Sequence, residues 1–184
     1  ARDLGAASVK FNILQPTARG SRLHEAGESL GVKELIALGR RLEGESARAA
    51  GVKIFFDFPS AFRSLGGIAA SDGRGSCGLL NILGVLATGK YALCGIGELR
   101  PQLVFGSAGE DRLAEVWASH PTLVELRAGL PSRLGGVCGR CVMRPSCLGS
   151  CLAQNYYRTG SFWAPYWFCE VSESLGVFPE SRLR

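Results

Sequence analysis

Apolar and polar positions alternate in short runs near the start of the chain, then give way to a helical repeat. Residues 9–14 (VKFNIL) have strand character and stop at Gln15-Pro16, where proline ends a ladder. Residues 1–7 read as the tail of a helix that runs out through Gly5, and residues 20–31, punctuated by glycine and serine, read as a loop. Over residues 32–50 the apolar positions Leu35, Ile36, Leu38, Leu42 and Ala47 recur at helical spacing. Residues 52–58 (VKIFFDF) form a second strand-like run, closed by Pro59. Strand, helix and strand in this order predict a βαβ unit with parallel neighbouring strands. Two parallel strands cannot bury both of their faces, so the pattern implies a fragment of a larger α/β domain.

Beyond residue 68 the pattern changes. Residues 79–86 and 91–94 are strand-like and meet across Thr88-Gly89, which predicts a hairpin. Residues 111–119 predict a helix with Asp111 near its start and Pro121 beyond its end, and 121–130 predict a second. From Gly135 the chain reads as loop dense in glycine and cysteine. Residues 148–158 then predict a helix ending at Gly160, followed by the aromatics Phe162, Trp163, Tyr166, Trp167 and Phe168. Residues 1–68 contain no cysteine and 69–184 contain all seven, so the chain divides there into two expected domains.

Composition narrows the class. With 46% hydrophobic and 20% charged residues among 184, a packed core is expected and disorder is not. No apolar run reaches the roughly 18–20 residues of a membrane span, and no signal peptide is visible. The net charge of +5 comes from arginines that stand singly or in the pair Arg40–Arg41. Without a basic stripe or interleaved aromatics it describes a solvated surface and not a nucleic-acid face.

Seven cysteines cannot all pair within one chain, and no secretion signal accompanies them, which points to a cytoplasmic metalloprotein. Four are compact, Cys138-x2-Cys141-x5-Cys147-x3-Cys151, while Cys77, Cys94 and Cys169 flank them. Gly139, Gly149 and Pro145 suit tight loops that aim thiolates at a common centre. Unliganded core cysteines and disulfides are the weaker readings. A tetrahedral zinc site and an iron–sulfur site both use four thiolates, and spacing alone leaves these two open.

The succession Cys77-x11-Gly89-x4-Cys94, then the quartet, then Cys169 resembles the seven-cysteine SPASM domain, the C-terminal extension of radical SAM enzymes that modify ribosomally made peptides. Residues 1–68 are similar to the last strands of the partial (β/α) barrel that precedes it. The resemblance implies an α/β fragment followed by a small, loop-rich α+β domain with a hairpin and short helices. It implies two auxiliary 4Fe–4S clusters: Cys77, Cys94 and Cys151 on the first, and Cys138, Cys141, Cys147 and Cys169 on the second. Some relatives carry an eighth cysteine before Cys77; residues 69–76 have none, which leaves one iron of the first cluster open to substrate, solvent or a carboxylate such as Asp72. Gly95 stands where sulfatase-maturating relatives have a catalytic aspartate, so that activity is not expected.

Radical SAM chemistry also needs a CxxxCxxC loop, and this sequence contains none. S-adenosylmethionine is therefore expected only in a full-length enzyme, and the start in mid-element without methionine points to truncation. In such a barrel, ligands gather at the C-terminal strand ends, which nominates Asn12, Gln15 and Asp57 for cofactor or substrate contact. Arg19, His24 and His120 read as surface or helix-end residues, and the aromatics at 162–168 as a cover over the second cluster. The implied partners are a precursor peptide or protein and a reductant such as flavodoxin or ferredoxin. The alternative function is a zinc-stabilised interaction domain; protein prepared in air would take zinc or form disulfides at sites built for iron.

Overall fold

The computed structural model describes residues 1–43, 51–69, 78 and 80–184. A 3-10 turn over Arg2–Leu4 closes on Gly5, whose φ of 73° sends the chain into β1 (Ser8–Phe11). That strand lies parallel to β2 (Lys53–Phe56), with Ser8 opposite Lys53 and Phe11 opposite Phe56. Both strands are shorter than the apolar runs that predict them. Ile13 leaves the ladder to enter the core, and Phe58 does the same after β2.

The segment read as a loop at 20–31 contains a helix, α1 (Arg19–Glu25). It buries no residue, so no apolar period announces it. Gly20 is not punctuation here: a Cβ at that position would stand 2.1 Å from the Gln15 carbonyl oxygen. Helix α2 (Val32–Glu43) buries Val32, Leu35, Ile36 and Gly39, the i, i+3, i+4, i+7 stripe of a surface helix. Gly39 lets the Phe58 ring approach, since a Cβ there would come within 2.7 Å of it. The rest of the helix expected to residue 50 lies outside the described residues. A short helix, α3 (Leu65–Ala69), follows β2.

The expected hairpin forms, in shorter pieces. β3 (Gly84–Val85) and β4 (Lys90–Ala92) pair antiparallel around Gly89, whose φ is 77°. Position 79, the start of the first run, lies outside the described residues. A third strand, β5 (Val104–Ser107), adds to β4 and was not legible in the apolar pattern, because Phe105 is its one buried residue. Helices α4 (Leu113–Ser119) and α5 (Pro121–Gly129) match the two expected. Asp111 is not a cap for α4; its Oδ2 accepts the Ser107 N–H at 2.8 Å and closes the turn after β5.

The region read as loop after Gly135 holds two short helices, α6 (Gly136–Arg140) and α7 (Arg144–Cys147). Helix α8 (Leu152–Thr159) begins four residues later than expected and ends on Gly160, φ 73°. The aromatic cluster opens a further helix, α9 (Trp167–Ser174). Among the described residues no strand extends either sheet further, and no helix is long and apolar enough to cross a membrane.

One core joins the βαβ unit to the cysteine-rich part. Phe168 is fully buried and meets Phe58 and Phe62 edge-on, at centroid distances of 6.0 and 5.1 Å; Phe62 meets Phe178 at 5.4 Å. Arg182 reaches back from the C-terminus to the carbonyls of Ala61 and Arg63. Truncating Phe168 to alanine removes a ring at the centre of this junction and should cost about 3–5 kcal/mol of stability. A urea titration checks this; a shift below about 1 kcal/mol would place the junction elsewhere.

Candidate metal centre

Cys138, Cys141, Cys147 and Cys169 line one small cavity of about 20 Å³. They come from different segments. Cys138 lies in α6, Cys141 ends that helix, Cys147 is the last residue of α7, and Cys169 sits in the first turn of α9. The remaining wall includes Ala61, Val137, Met143 and Phe178, so it is largely apolar.

Backbone contacts fix each thiol. Gly139 follows Cys138 because a Cβ would stand 2.4 Å from the Leu134 carbonyl oxygen. The Gly139 carbonyl accepts from Arg144 Nη1 at 2.6 Å, tying α6 to α7. The C-terminal residues pin the same loop: Cys141 bridges Leu183, the Val142 N–H donates to the Arg182 carbonyl at 2.8 Å, and the Arg184 N–H donates to that of Arg140. Arg140 also pairs with Glu173, linking the helices that carry Cys138 and Cys169. The Tyr166 N–H donates to Cys138 Sγ at 3.4 Å, and the Met143 N–H to Cys141 Sγ at 3.4 Å.

Between Cys147 and Cys151 the backbone is left-handed at three consecutive residues: Leu148 (φ 51°), Gly149 (φ 77°) and Ser150 (φ 59°). Non-glycine residues rarely adopt this region, and each costs of order 1 kcal/mol or more. The Ser150 N–H donates to the Cys147 carbonyl at 2.9 Å and closes this turn.

The electrostatics are those of clustered, desolvated thiols. Cys169 donates to Cys138, which lowers the pKa of Cys138 and, with burial and the neighbouring thiols, raises that of Cys169 well above 9.0. Burial raises Cys141, and it pushes Cys147 up to about 12. Loading a metal must therefore remove protons that the apolar wall holds on. Among the described residues, no three His, Cys, Asp or Glu side chains converge closely enough to hold a single metal ion.

The other candidates are dispersed. Cys151 is the N-cap residue of α8, and that helix packs against the 3-10 turn Gly95–Leu99, which begins directly after Cys94. Cys77 and Asp72 lie outside the described residues. Asn12 and Asp57 follow the paired residues Phe11 and Phe56, so both stand exposed at the C-terminal end of the parallel pair. Gln15 is engaged by the protein itself. Its Nε2 donates to Tyr166 Oη at 2.9 Å and to the Ile13 carbonyl at 3.2 Å, and its Oε1 accepts from Trp167 Nε1 at 3.0 Å. His24 also faces this junction, edge-on to Trp167, with Nε2 2.9 Å from the Leu14 carbonyl oxygen. Burial lowers the pKa of His120, whose ring packs on Phe105. Arg19 is exposed at the start of α1.

The expected aromatic cover is different from its description in sequence. None of the five aromatic side chains at 162–168 lines the thiol cavity; Phe178 does. Helix α9 turns Trp167 and Phe168 toward the βαβ unit, while Trp163 lies under Arg133 and Phe162 stacks on Tyr156.

No family model matches the chain, and it matches no curated protein and no solved structure.

The raised thiol values give a sign for stability. A group whose folded pKa is raised stabilises the fold fully below its unfolded pKa and loses that contribution as pH rises through the folded value. For the metal-free chain the window for Cys147 runs from 9.0 to about 12. The urea midpoint should fall across pH 9–11, and Cys147→Ser should flatten the fall. A midpoint unchanged over that range in the parent chain contradicts the burial of these thiols.

Proposed function

We propose that this chain is the auxiliary iron–sulfur region of a cytoplasmic radical SAM enzyme that modifies a ribosomally made peptide or protein. The carrying observation is that four cysteines from separate segments line one largely apolar cavity, with a backbone N–H donating to each of two of the sulfurs. These are the four residues that the resemblance to SPASM domains groups on one cluster: Cys138, Cys141, Cys147 and Cys169. Cys77, Cys94 and Cys151 are the ligands it assigns to the other. A bound 4Fe–4S cluster supplies one-electron transfer, exchanging with a flavodoxin- or ferredoxin-like reductant.

The donor set fits such a cluster. Thiolates suit iron–sulfur chemistry, and an apolar wall with N–H donors near sulfur is what sets cluster potential. The parallel pair β1–β2 suits the end of a barrel, with Asn12 and Asp57 at the strand ends where a substrate or S-adenosylmethionine would be met. Gln15 has a structural task at the same end, holding Tyr166 and Trp167. No CxxxCxxC occurs in this sequence, so its own residues are assigned no part in cleaving S-adenosylmethionine.

The second reading is a zinc-stabilised interaction domain, favoured by the compact quartet of cysteines in a small loop-rich unit. Anaerobic treatment with ferrous iron, sulfide and reductant separates the two. The iron–sulfur reading expects a brown protein with roughly eight irons per chain, from two [4Fe–4S] clusters. Cys169→Ser should remove about half of that iron and Cys94→Ser the other half. A colourless protein that carries stoichiometric zinc and no iron overturns it.

A further inference from the structure

Gln15 stands in the loop that leaves β1, and its carboxamide is committed to the two residues at which α9 begins. Its Oε1 accepts from Trp167 Nε1 at 3.0 Å, and its Nε2 donates to Tyr166 Oη at 2.9 Å and to the Ile13 carbonyl at 3.2 Å. The loop is shaped around this residue. The Gln15 carbonyl accepts the Thr17 N–H at 2.8 Å, and Gly20 leaves that oxygen room, since a Cβ there would strike it. His24 adds a contact from α1, edge-on to the Trp167 ring at 5.2 Å. Both aromatic side chains are buried, so the phenol and the indole N–H need partners inside the protein. Gln15 answers both with one amide.

Tyr166 also donates from its backbone into the cysteine cavity. Its N–H meets Cys138 Sγ at 3.4 Å, and as the N-cap residue of α9 it owes that N–H to no helical carbonyl. Upstream, the Gly135 N–H donates to the Trp163 carbonyl at 2.8 Å. Pro165 rests on Gly136, where a Cβ would stand 3.0 Å from Pro165 Cγ. Downstream, Gln15 holds the side chains of Tyr166 and Trp167. The N–H is thus aimed from both sides, and a hydrogen bond weakens steeply once its donor swings off line.

We propose that Gln15 is a positioning residue of the four-cysteine centre: by holding Tyr166 and Trp167 it aims the Tyr166 N–H at Cys138 Sγ, and so raises the reduction potential of the cluster that Cys138 helps to hold. The inference rests on the iron–sulfur reading above. A donor to a ligand sulfur stabilises the more negative, reduced cluster more than the oxidised one. Gln15 acts through Tyr166 and is assigned no ligand role.

The test compares the chain with Gln15→Leu, Tyr166→Phe and the double variant. In the metal-free protein, Gln15→Leu should speed amide hydrogen exchange at Tyr166 by about tenfold, the worth of one lost hydrogen bond. The amide of Ser172, in the middle of α9, should keep its parent rate. After anaerobic loading with ferrous iron, sulfide and reductant, Gln15→Leu should lower the midpoint potential of the signal that Cys169→Ser abolishes. Tyr166→Phe removes a single oxygen and should move exchange and potential in the same direction by less. Should Gln15→Leu fail to fold, Tyr166→Phe alone decides. The double variant should match Gln15→Leu, because both changes act on one N–H. A Tyr166 amide that exchanges at the parent rate, a potential that does not move, or shifts that add in the double variant overturn the proposal. Uptake of no iron by the parent chain overturns the iron–sulfur reading instead, and exchange in the metal-free chain then still decides whether Gln15 aims the Tyr166 N–H.

Discussion

Several thiols that face one point cannot be carried by a single regular helix, because a helix turns each successive side chain away by its own period. The backbone between 135 and 151 is arranged around that constraint. Two helices of five and four residues place Cys138 and Cys147, and the turn between them places Cys141. Three successive left-handed residues then redirect the chain before α8. The cost of those conformations is met by the surrounding contacts: the Arg144 bond to Gly139, residues 182–184 against 140–142, and the Arg140–Glu173 pair. The cavity depends on these clamps more than on the intrinsic stability of helices so short.

Cys169 ties the cavity to the rest of the molecule. It sits in α9 between Phe168, which enters the Phe58–Phe62 cluster, and Glu170, which pairs with Arg158 of α8. The preceding residues, Tyr166 and Trp167, are held by Gln15. One helix thus joins a thiol ligand candidate, the aromatic core and the end of β1. A change at the C-terminal end of the parallel strands has a short mechanical route to Cys169, through Gln15 and the first turn of α9. Tyr166 marks how closed this route is: burial raises its hydroxyl pKa, and Asp57 at the end of β2 adds to the shift.

Much of this was legible in the sequence where a residue type carries a geometric demand. The parallel pairing of β1 and β2 followed from two apolar runs around a periodic helix, and Gly89 and Gly160 marked a hairpin and a helix end. The compact cysteine spacing marked the region where thiols meet; the spacing by itself did not separate Cys147 from Cys151, whereas the resemblance already grouped Cys147 with Cys138, Cys141 and Cys169. Side-chain geometry decides that, through the left-handed run at 148–150, and Leu148 and Ser150 carry no signal for such a conformation. Helix α1 was missed because it buries nothing, β5 because it buries one residue, and α9 because its aromatics read as a cluster without a period. Gln15 was legible as a polar residue at a strand end. Its partners 151 and 152 positions away were not.

The cavity of the four cysteines and the start of α8 differ in how fully the chain satisfies its own polar groups. Around the cavity of Cys138, Cys141, Cys147 and Cys169, the chain supplies N–H donors to two of the sulfurs and an apolar wall. Near Cys151 it leaves three amide atoms of Gln154 and Asn155 buried and unanswered, at the uncapped start of a helix. Selection for stability would replace a fully buried, unpaired glutamine with leucine or methionine, which fill the same space without desolvating an amide.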